Sequence, residues 1–569
     1  MVAADPTRIN ALRSSRHAFL ALALALLSSA SAAAGAPAAA SPLPVWPAPR
    51  GPVSAGAATV AVSPALDVSG ASAWPDVAAG VARFLARAFP HAAPPSSRSR
   101  SASAAAAAAA AASAAAITSL AINVTDGAAP LQLGVDESYA LFVPADAASP
   151  IALSAPTQFG ALAGLETLSQ LIAWDADARA YSIAGTPLAV ADAPAFAWRG
   201  LLVDTARHFQ PLAVLRALVE SMAMAKLNTL HWHIVDAQSW PLESPAWPRL
   251  WAGAFSPQER YTTDDVAGLV EFARARGVRT VFEVDHPGHL SSACRPGAYP
   301  ELCPADCAWD AGDNSVPLAP ANNATWQMLA DTLAELAALS PDAFLHLGGD
   351  EVDTTCWALD APTLAWTRAT NLSGVGDIYG VFVQRMDAAA RALGRSPVRW
   401  EDAWTALGAR LDPATVVHVW LSPATLGNVT NAGYRAVYSY QGVYDDVFDY
   451  QHGWYLNGLW QPWQQMYDVD MLAGLTNQSA LPLVLGGEAA QWGESADGSD
   501  VLQTVWPRGA AVAERLWSYN MQLNSSDAGV ARRLAAIRCL LLARGVPASP
   551  LNAPLGRSPP PGPGSCFAQ

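Results

Sequence analysis

The sequence predicts an α/β protein in which a (β/α)8 barrel, residues 196–569, follows a smaller α+β domain, residues 33–195. Two observations lead to this prediction. Apolar segments alternate with helical segments over the second range, as in a barrel of parallel strands. The chain has 569 residues, of which 52% are hydrophobic and only 14% charged, so it can form two large cores.

The first 32 residues are interpreted as a signal peptide. Arg8, Arg13 and Arg16 precede the apolar run AFLALALALL, and small residues end at Ala32. The run is short for a membrane span, so we expect no stable membrane insertion, with an uncleaved anchor as the alternative. Six Asn-x-Ser/Thr sequons support a secretory-pathway protein, secreted or vacuolar/lysosomal, and begin at Asn123, Asn323, Asn371, Asn428, Asn477 and Asn524.

In the first domain, SLAINVT and ESYALFV are predicted strands and TQFGALAGLETLSQLI a predicted helix. The alanine-rich run 101–116 is predicted to be an insertion in a loop. The domain is expected to end near residue 195. No chemistry is assigned to it.

The second domain contains eight predicted strands. They are RGLLVDTAR, NTLHWHIVD, VRTVFEVD, AFLHLGGDE, SPVRWEDA, TVVHVWL, RAVYSY and LPLVLGGEAAQWGE. Helical patterns follow the first four, namely LAVLRALVESMAMAK, TTDDVAGLVEFARARG, TWQMLADTLAELAAL and IYGVFVQRMDAAARALG. Eight strands with intervening helices predict a closed barrel.

Charge and cysteine content narrow the function classes. The net charge is −15 and Lys226 is the one lysine, so nucleic acid is not an expected partner. Lys226, between a helix and a strand, is expected to be a solvated structural residue. The six cysteines are expected to form disulfides. A zinc site is disfavoured because Cys303 and Cys307 have no second closely spaced cysteine pair to complete the four ligands of a zinc ribbon.

Polar and aromatic residues recur where the predicted barrel strands end, which is the catalytic face of such barrels. They are Arg207, Asp236, Asp285, Asp350, Glu351, Trp400, Trp420, Trp492 and Glu494. Each alone could be a helix cap or a core residue, but their recurrence indicates a site. Carboxylates, arginine and indoles suit a sugar. Adjacent Asp350 and Glu351 cannot flank one glycosidic bond, which favours substrate-assisted hydrolysis.

Seven motifs then resemble the β-N-acetylhexosaminidases of glycoside hydrolase family 20, of the plant or algal and animal lysosomal type. They are DTARHFQP, LHWHIVD, VDHPGH, HLGGDEV, WYLNG, LGGEAAQWGE and WPRGAAVAERLWS, within a resemblance that spans residues 45–566. The resemblance implies that Glu351 is the general acid, that Asp350 binds the acetamido N–H of the substrate, and that Tyr455 holds the acetamido oxygen.

The resemblance also implies roles for further residues. Trp400, Trp420 and Trp492 would surround the acetamido methyl group, and Arg207, Asp236, Asn457 and Glu494 would bind the sugar. Asp285 and His289 would support the acid, whereas His231 and His233 are expected to be second-layer or structural residues. Neither a cofactor nor a metal is expected. A homodimer is suggested.

Two departures from the family pattern affect these roles. Ala237 follows Asp236 where animal lysosomal members carry a second acid, and Gly458 follows Asn457 where members that accept sulfated sugars carry arginine.

Among the cysteines, we expect Cys539 to pair with Cys566, and Cys356 with Cys303 or Cys307.

Two other function classes remain as alternatives. A metal-dependent barrel hydrolase could use His231 and His233, which share one strand face, together with Asp236, His286 and His289. A lectin-like protein could retain the barrel without activity. It would be expected to have lost the acid, whereas Glu351 and Asp350 are both present.

Overall fold

The structure is a computed structural model of the chain. It describes residues 43–92, 116–307, 313–439, 462–519, 522 and 524–551. The predicted signal peptide and nearly all of the alanine-rich run lie outside these residues. No helix among the described residues has the length and apolar character needed to cross a membrane.

The N-terminal domain is a six-stranded mixed sheet with two helices, in agreement with the predicted α+β class. The sheet order is β1-β2-β4-β3-β6-β5, and β1 also pairs with β6. The elements are β1 Val53–Ser69, α1 Pro75–Ala88, β2 Ala116–Asp126, β3 Tyr139–Val143, β4 Ile151–Thr157, α2 Gln158–Leu171, β5 Ala173–Asp175 and β6 Ala180–Asp192. Helix α2 begins where the Thr157 side chain accepts a hydrogen bond from the Gly160 N–H.

The second domain confirms the predicted barrel. Eight parallel strands close on themselves, and each pairs with its neighbours in chain order. They are β7 Trp198–Asp204, β8 Thr229–Val235, β9 Arg279–Val284, β10 Phe344–His346, β11 Ser396–Trp400, β12 Val416–Val419, β13 Arg435–Tyr438 and β14 Val484–Gln491. Because all run in one direction, their carboxyl ends share one face.

Helices surround the barrel and complete its core. They are α3 Leu212–Met224, α4 Thr263–Arg274, α5 Asn323–Leu339, α6 Thr355–Leu359, α7 Ala361–Ala369, α8 Gly376–Ala392, α9 Glu401–Leu407, α10 Pro423–Asn431, α11 Trp463–Asp468, α12 Val501–Val505, α13 Arg508–Ser518 and α14 Ala528–Ala543. The four helices predicted after the first four strands correspond to α3, α4, α5 and α8. Their buried faces pack on the strands, which leaves the strand ends to carry loops.

Buried polar side chains fill part of the barrel interior. The Glu283 carboxylate lies 3.1 Å from His231 Nε2 and 2.9 Å from His346 Nδ1, and it accepts the Trp400 indole N–H at 2.8 Å. Glu488 Oε1 lies 2.6 Å from His231 Nδ1. Burial opposes ionisation of Glu283, but the surrounding histidines outweigh it and lower its pKa well below the usual value. This network fixes Trp400 at the strand end.

Lys226 corrects one expectation from the sequence. Its side chain is buried, and Nζ donates to Thr167 Oγ1 at 2.8 Å and to Tyr139 Oη at 3.1 Å in the N-terminal domain. The ammonium also lies 4.4 Å from the Trp517 ring centroid. The prediction of a solvated lysine is therefore wrong, because the N-terminal domain covers this end of the barrel.

Candidate active site

The loop after β10 gives the adjacent acids Asp350 and Glu351 different surroundings. Gly348 and Gly349 have φ values of 56° and 108°, and a Cβ on Gly348 would lie 1.9 Å from Asp285 Oδ1. The loop therefore requires glycine there. The Asp350 side chain is 11% exposed and that of Glu351 is 51% exposed. One acid faces the barrel and its neighbour faces the open side of the site.

Asp350 is paired with a second buried carboxyl group, Asp285. The Gly349 N–H donates to Asp285 Oδ1 at 2.6 Å, which holds Asp285 beneath the loop. Burial raises the pKa of Asp285 to about 6, and burial and Asp285 together raise the pKa of Asp350 well above its usual value. The two carboxyl groups therefore favour sharing a proton until a ligand supplies a donor or a positive charge.

His289 lies between the acids. Its Nε2 is 3.5 Å from Glu351 Oε2, 3.7 Å from Asp350 Oδ2 and 3.8 Å from Asp285 Oδ2. Its Nδ1 is 3.1 Å from Asp236 Oδ2. Burial alone would lower the pKa of His289, but the carboxylates raise it well above its usual value. The imidazolium, close to Glu351, in turn lowers the pKa of that carboxyl group.

Arg207 organises the opposite side of the site. Its guanidinium lies 3.0 Å from Asp236 Oδ2 and 3.2 Å from Asp204 Oδ2, and Nε donates to Gln238 Oε1 at 3.1 Å. Burial opposes ionisation of Asp236, yet Arg207, followed by His289, lowers its pKa. Burial raises the pKa of Glu494, which Arg207 partly offsets. The result is a fixed guanidinium surrounded by hydrogen-bond acceptors.

Three indoles meet beside these charged groups. The ring centroid of Trp400 lies 6.3 Å from that of Trp420 and 6.0 Å from that of Trp492. The Arg207 guanidinium is 5.1 Å from the Trp492 ring centroid. Apolar walls next to carboxylates and a guanidinium can take a ligand that has both an apolar face and hydroxyl or amide groups.

Two parts of the chain match known protein families. Residues 196–520 match the family described as "Glycosyl hydrolase family 20, catalytic domain", and residues 45–171 match "beta-acetyl hexosaminidase like". The chain belongs to glycosyl hydrolase family 20. The predicted family is thus confirmed, and with it the prediction that the protein is a glycoside hydrolase.

Individual relatives span most of this family 20 chain. It is 42% identical to beta-hexosaminidase 1 of Arabidopsis thaliana over 459 residues, which cover 80% of this chain and 81% of that protein. It is 37% identical to beta-hexosaminidase subunit alpha of Bos taurus over 414 residues, covering 70% and 74%. The solved chitobiase of Flavobacterium johnsoniae superimposes with a TM-score of 0.73 at 27% identity, covering 89% and 73%.

The structure brings most of the predicted site residues of this glycoside hydrolase together. Ten of them surround the groups described above: Arg207, Asp236, Asp285, His289, Asp350, Glu351, Trp400, Trp420, Trp492 and Glu494. Tyr455 and Asn457 lie outside the described residues. Their roles stay predictions.

The cysteines near the acids form two disulfides. Cys307 bonds to Cys356, five residues after Glu351, and is one of the two partners expected for Cys356. Cys303 bonds to Cys294 instead. The loop that carries Glu351 is therefore tied covalently to the segment before α5. The expected Cys539–Cys566 pair involves Cys566, which lies outside the described residues.

The imidazoles of the metal-dependent alternative already have partners. His233 uses both ring nitrogens, since Nδ1 contacts Glu283 and Nε2 lies 2.5 Å from Asp236 Oδ2. His286 Nδ1 lies 2.8 Å from the Val284 carbonyl, and Nε2 lies 3.3 Å from Arg399. His231, inside the barrel, lies 3.1 Å from Glu283 and 2.6 Å from Glu488, so protein groups hold all three rings in this arrangement.

Sequence reasoning missed two acids of the site. Asp204 ends β7 and accepts hydrogen bonds from the backbone N–H groups of Ala206 and Arg207, so the strand-end pattern could have found it. Asp402 follows β11 and accepts the Trp420 indole N–H at 2.9 Å. Its signal is weaker, because it lies beside Glu401 at a helix start, where acids are common.

Proposed function

We propose that the protein is a retaining exo-β-N-acetylhexosaminidase that removes terminal β-linked GlcNAc or GalNAc through an oxazolinium intermediate. One observation carries the proposal: adjacent acids, one buried and one half-exposed, both lie within 4 Å of His289. A buried carboxyl group suits a fixed contact with a substrate amide, and an exposed one suits proton transfer with a leaving group and with water. The names of the relatives support this substrate class.

The reaction would proceed in two displacements at C1. Protonated Glu351 donates its proton to the glycosidic oxygen as the C1–O bond breaks, while the acetamido carbonyl oxygen attacks C1 from the other side. Asp350 accepts the acetamido N–H and stabilises the oxazolinium charge. The Glu351 carboxylate then takes a proton from water as the water oxygen attacks C1. The bond between C1 and the acetamido oxygen breaks, which opens the oxazolinium ring and restores the acetamido group. Two inversions give net retention.

The remaining side chains would bind and orient the sugar. The indoles of Trp400, Trp420 and Trp492 suit the acetamido methyl group, since they form adjacent apolar walls. Arg207 and Glu494 would bind hydroxyl groups of the terminal residue. Tyr455 is proposed to hold the acetamido oxygen and Asn457 to bind the sugar.

The charge on His289 makes this mechanism depend on acidity. A general acid must be protonated before the reaction, yet the imidazolium lowers the pKa of Glu351. Arg207 acts in the same direction, and burial and Asp236 act against them. In the free enzyme, kcat/KM should therefore decrease as the pH rises through the lowered pKa of Glu351.

Replacing His289 with asparagine should move this descending limb to higher pH. Asparagine removes the positive charge that stabilises the Glu351 carboxylate, so the pKa of Glu351 rises and its protonated form persists at higher pH. Asparagine also tolerates the positive φ of 52° at this position. The measurement is the pH profile of kcat/KM. A limb that stays in place or moves to lower pH contradicts the proposal. The exposed histidine His91 provides the control His91→Asn.

Substrate-assisted catalysis predicts a strict requirement for the acetamido group. Among aryl β-glycosides, the purified protein should cleave N-acetylglucosaminides or N-acetylgalactosaminides and release the β-anomer first. Matched glucosides should react at least about 10²-fold more slowly, because they lack the internal nucleophile. Anomeric retention can be followed by NMR during the first turnovers. Equal rates on the two substrate types, or inversion, would falsify the mechanism.

The cellular setting is proposed as the secretory pathway, with the protein either secreted or vacuolar/lysosomal. All six sequon asparagines are exposed on the folded chain, so oligosaccharides can be attached without disturbing the core. The two disulfides Cys294–Cys303 and Cys307–Cys356 also suit an oxidising compartment. A homodimer stays a prediction.

A further inference from the structure

The carboxyl group of Asp402 joins two loops of the site. Asp402 is the second residue of α9 and is partly buried. Its Oδ2 accepts the indole N–H of Trp420, after β12, at 2.9 Å. Burial raises the pKa of this carboxyl group, and the backbone N–H of Glu351, after β10, lies near enough to act against that shift. One side chain therefore binds the indole of Trp420 and lies beside the loop that carries Glu351.

The Glu351 backbone needs such support. Its φ is 53°, a left-handed conformation that is unfavourable for a non-glycine residue and persists only where the surroundings enforce it. Two contacts hold Gly349, which lies just before the two acids, since Asp285 accepts the Gly349 N–H at 2.6 Å and Tyr379 donates to the Gly349 carbonyl at 2.5 Å. Asp402 acts further along the loop, at Glu351 itself.

The indole of Trp420 depends on the same group. The Trp420 backbone N–H donates to Glu401 Oε2 at 2.7 Å, so Glu401 holds the backbone and Asp402 holds the ring. An indole has a single N–H donor, which makes Asp402 its orienting partner. A rotation of this ring would open one wall facing Trp400.

We propose that Asp402 is a positioning residue that fixes the general acid and the acetamido pocket relative to each other. The inference rests on the proposed roles of Glu351 and Trp420, through which Asp402 acts. A carboxylate has two acceptor oxygens, so one can accept the indole N–H while its charge attracts the nearby Glu351 backbone N–H. Proton transfer and nucleophilic attack on one sugar ring are thereby aligned by one side chain.

The test is Asp402→Asn, with Asp412→Asn as the matched control. The substitution keeps the size of the side chain but removes the charge and replaces one acceptor oxygen with an N–H2 donor. Because a misplacement of about 1 Å can cost about 10²-fold, kcat/KM should decrease about 10- to 100-fold, mainly through kcat. Asp412 is a partly buried aspartate bound to Arg391 at 3.0 Å, and its substitution should be neutral.

Two readouts separate positioning from simple loss of stability. A misaligned acid should make the loss in Asp402→Asn larger on aryl glycosides with poor leaving groups, whereas partial unfolding lowers all rates by one factor. Trp420→Phe keeps an aromatic ring and removes the N–H, so it should raise KM. In the double variant Asp402→Asn, Trp420→Phe, the fold-decrease in kcat/KM should be smaller than the product of the decreases in the two single variants, because both substitutions affect the same hydrogen bond.

The results distinguish this inference from the proposed function. If the wild type requires the acetamido group but Asp402→Asn matches Asp412→Asn, the positioning role is wrong and the proposed function stands. A loss in Asp402→Asn that is uniform across leaving groups and additive with Trp420→Phe also overturns it. If the wild type cleaves glucosides equally well, the proposed function itself fails.

Discussion

Glutamine in place of Glu351 is expected to lower kcat/KM about 10²- to 10⁴-fold on substrates whose leaving group must be protonated. The Glu351 carboxyl group is half-exposed on the open side of the site and lies 3.5 Å from His289, so it can exchange a proton with a leaving group or with water. Glutamine keeps the shape of the side chain but cannot donate that proton. A nitrophenolate leaves without protonation, and the loss should be much smaller on a nitrophenyl glycoside.

The measurement is kcat/KM over a series of aryl N-acetylglucosaminides with leaving groups of different acidity. The slope of rate against leaving-group pKa should be steeper for Glu351→Gln than for the wild type. Glu271→Gln changes an exposed glutamate on outer helix α4, paired with Arg274, and should keep the wild-type slope. Equal slopes for Glu351→Gln and the wild type would remove the general-acid role.

The barrel could be predicted because its strands are buried on both faces. Segments such as GLLV in β7 and HWHIV in β8 are fully buried in the structure, and continuous apolar or aromatic runs of this kind are distinctive between helical patterns. Strand β1, Val53–Ser69, was not predicted. Many of its residues are exposed, and its run of alanine, glycine and serine carries no clear alternation.

The strand-end residues could be predicted because parallel strands place them on one face regardless of the details of packing. The contacts that orient them could not. The Trp400 indole N–H donates to Glu283 at 2.8 Å, although the two residues are 117 positions apart in the sequence. In the sequence, Glu283 is a single polar residue within a predicted strand, and nothing there indicates this contact. His346 and His418 meet at 3.2 Å across the barrel interior, a contact that depends on register and closure.

Asparagine in place of Asp350 should lower kcat/KM about 10²- to 10³-fold, the scale expected when one preorganised electrostatic contact to developing charge is removed. Asp350 is buried beside Asp285, and burial raises its pKa well above the usual value. A carboxyl group in that state favours ionisation once an amide N–H and a positive oxazolinium ring lie against it. The neutral amide of Asp350→Asn has no charge to offer, so the intermediate and the transition states on either side of it are destabilised.

The loss in Asp350→Asn should be similar on good and poor leaving groups, because the acetamido attack precedes or accompanies departure in both. Binding of an oxazoline-like inhibitor should weaken by a comparable factor, since such a compound resembles the intermediate. Asp353→Asn is the matched control on the same loop and should keep the wild-type kcat/KM. Asp353 is exposed, and its side chain accepts a hydrogen bond from the Thr355 N–H at 2.9 Å. If Asp350→Asn and Glu351→Gln depend on leaving-group acidity in the same way, the two acids do not divide the work as proposed, although the chain remains a family 20 glycoside hydrolase.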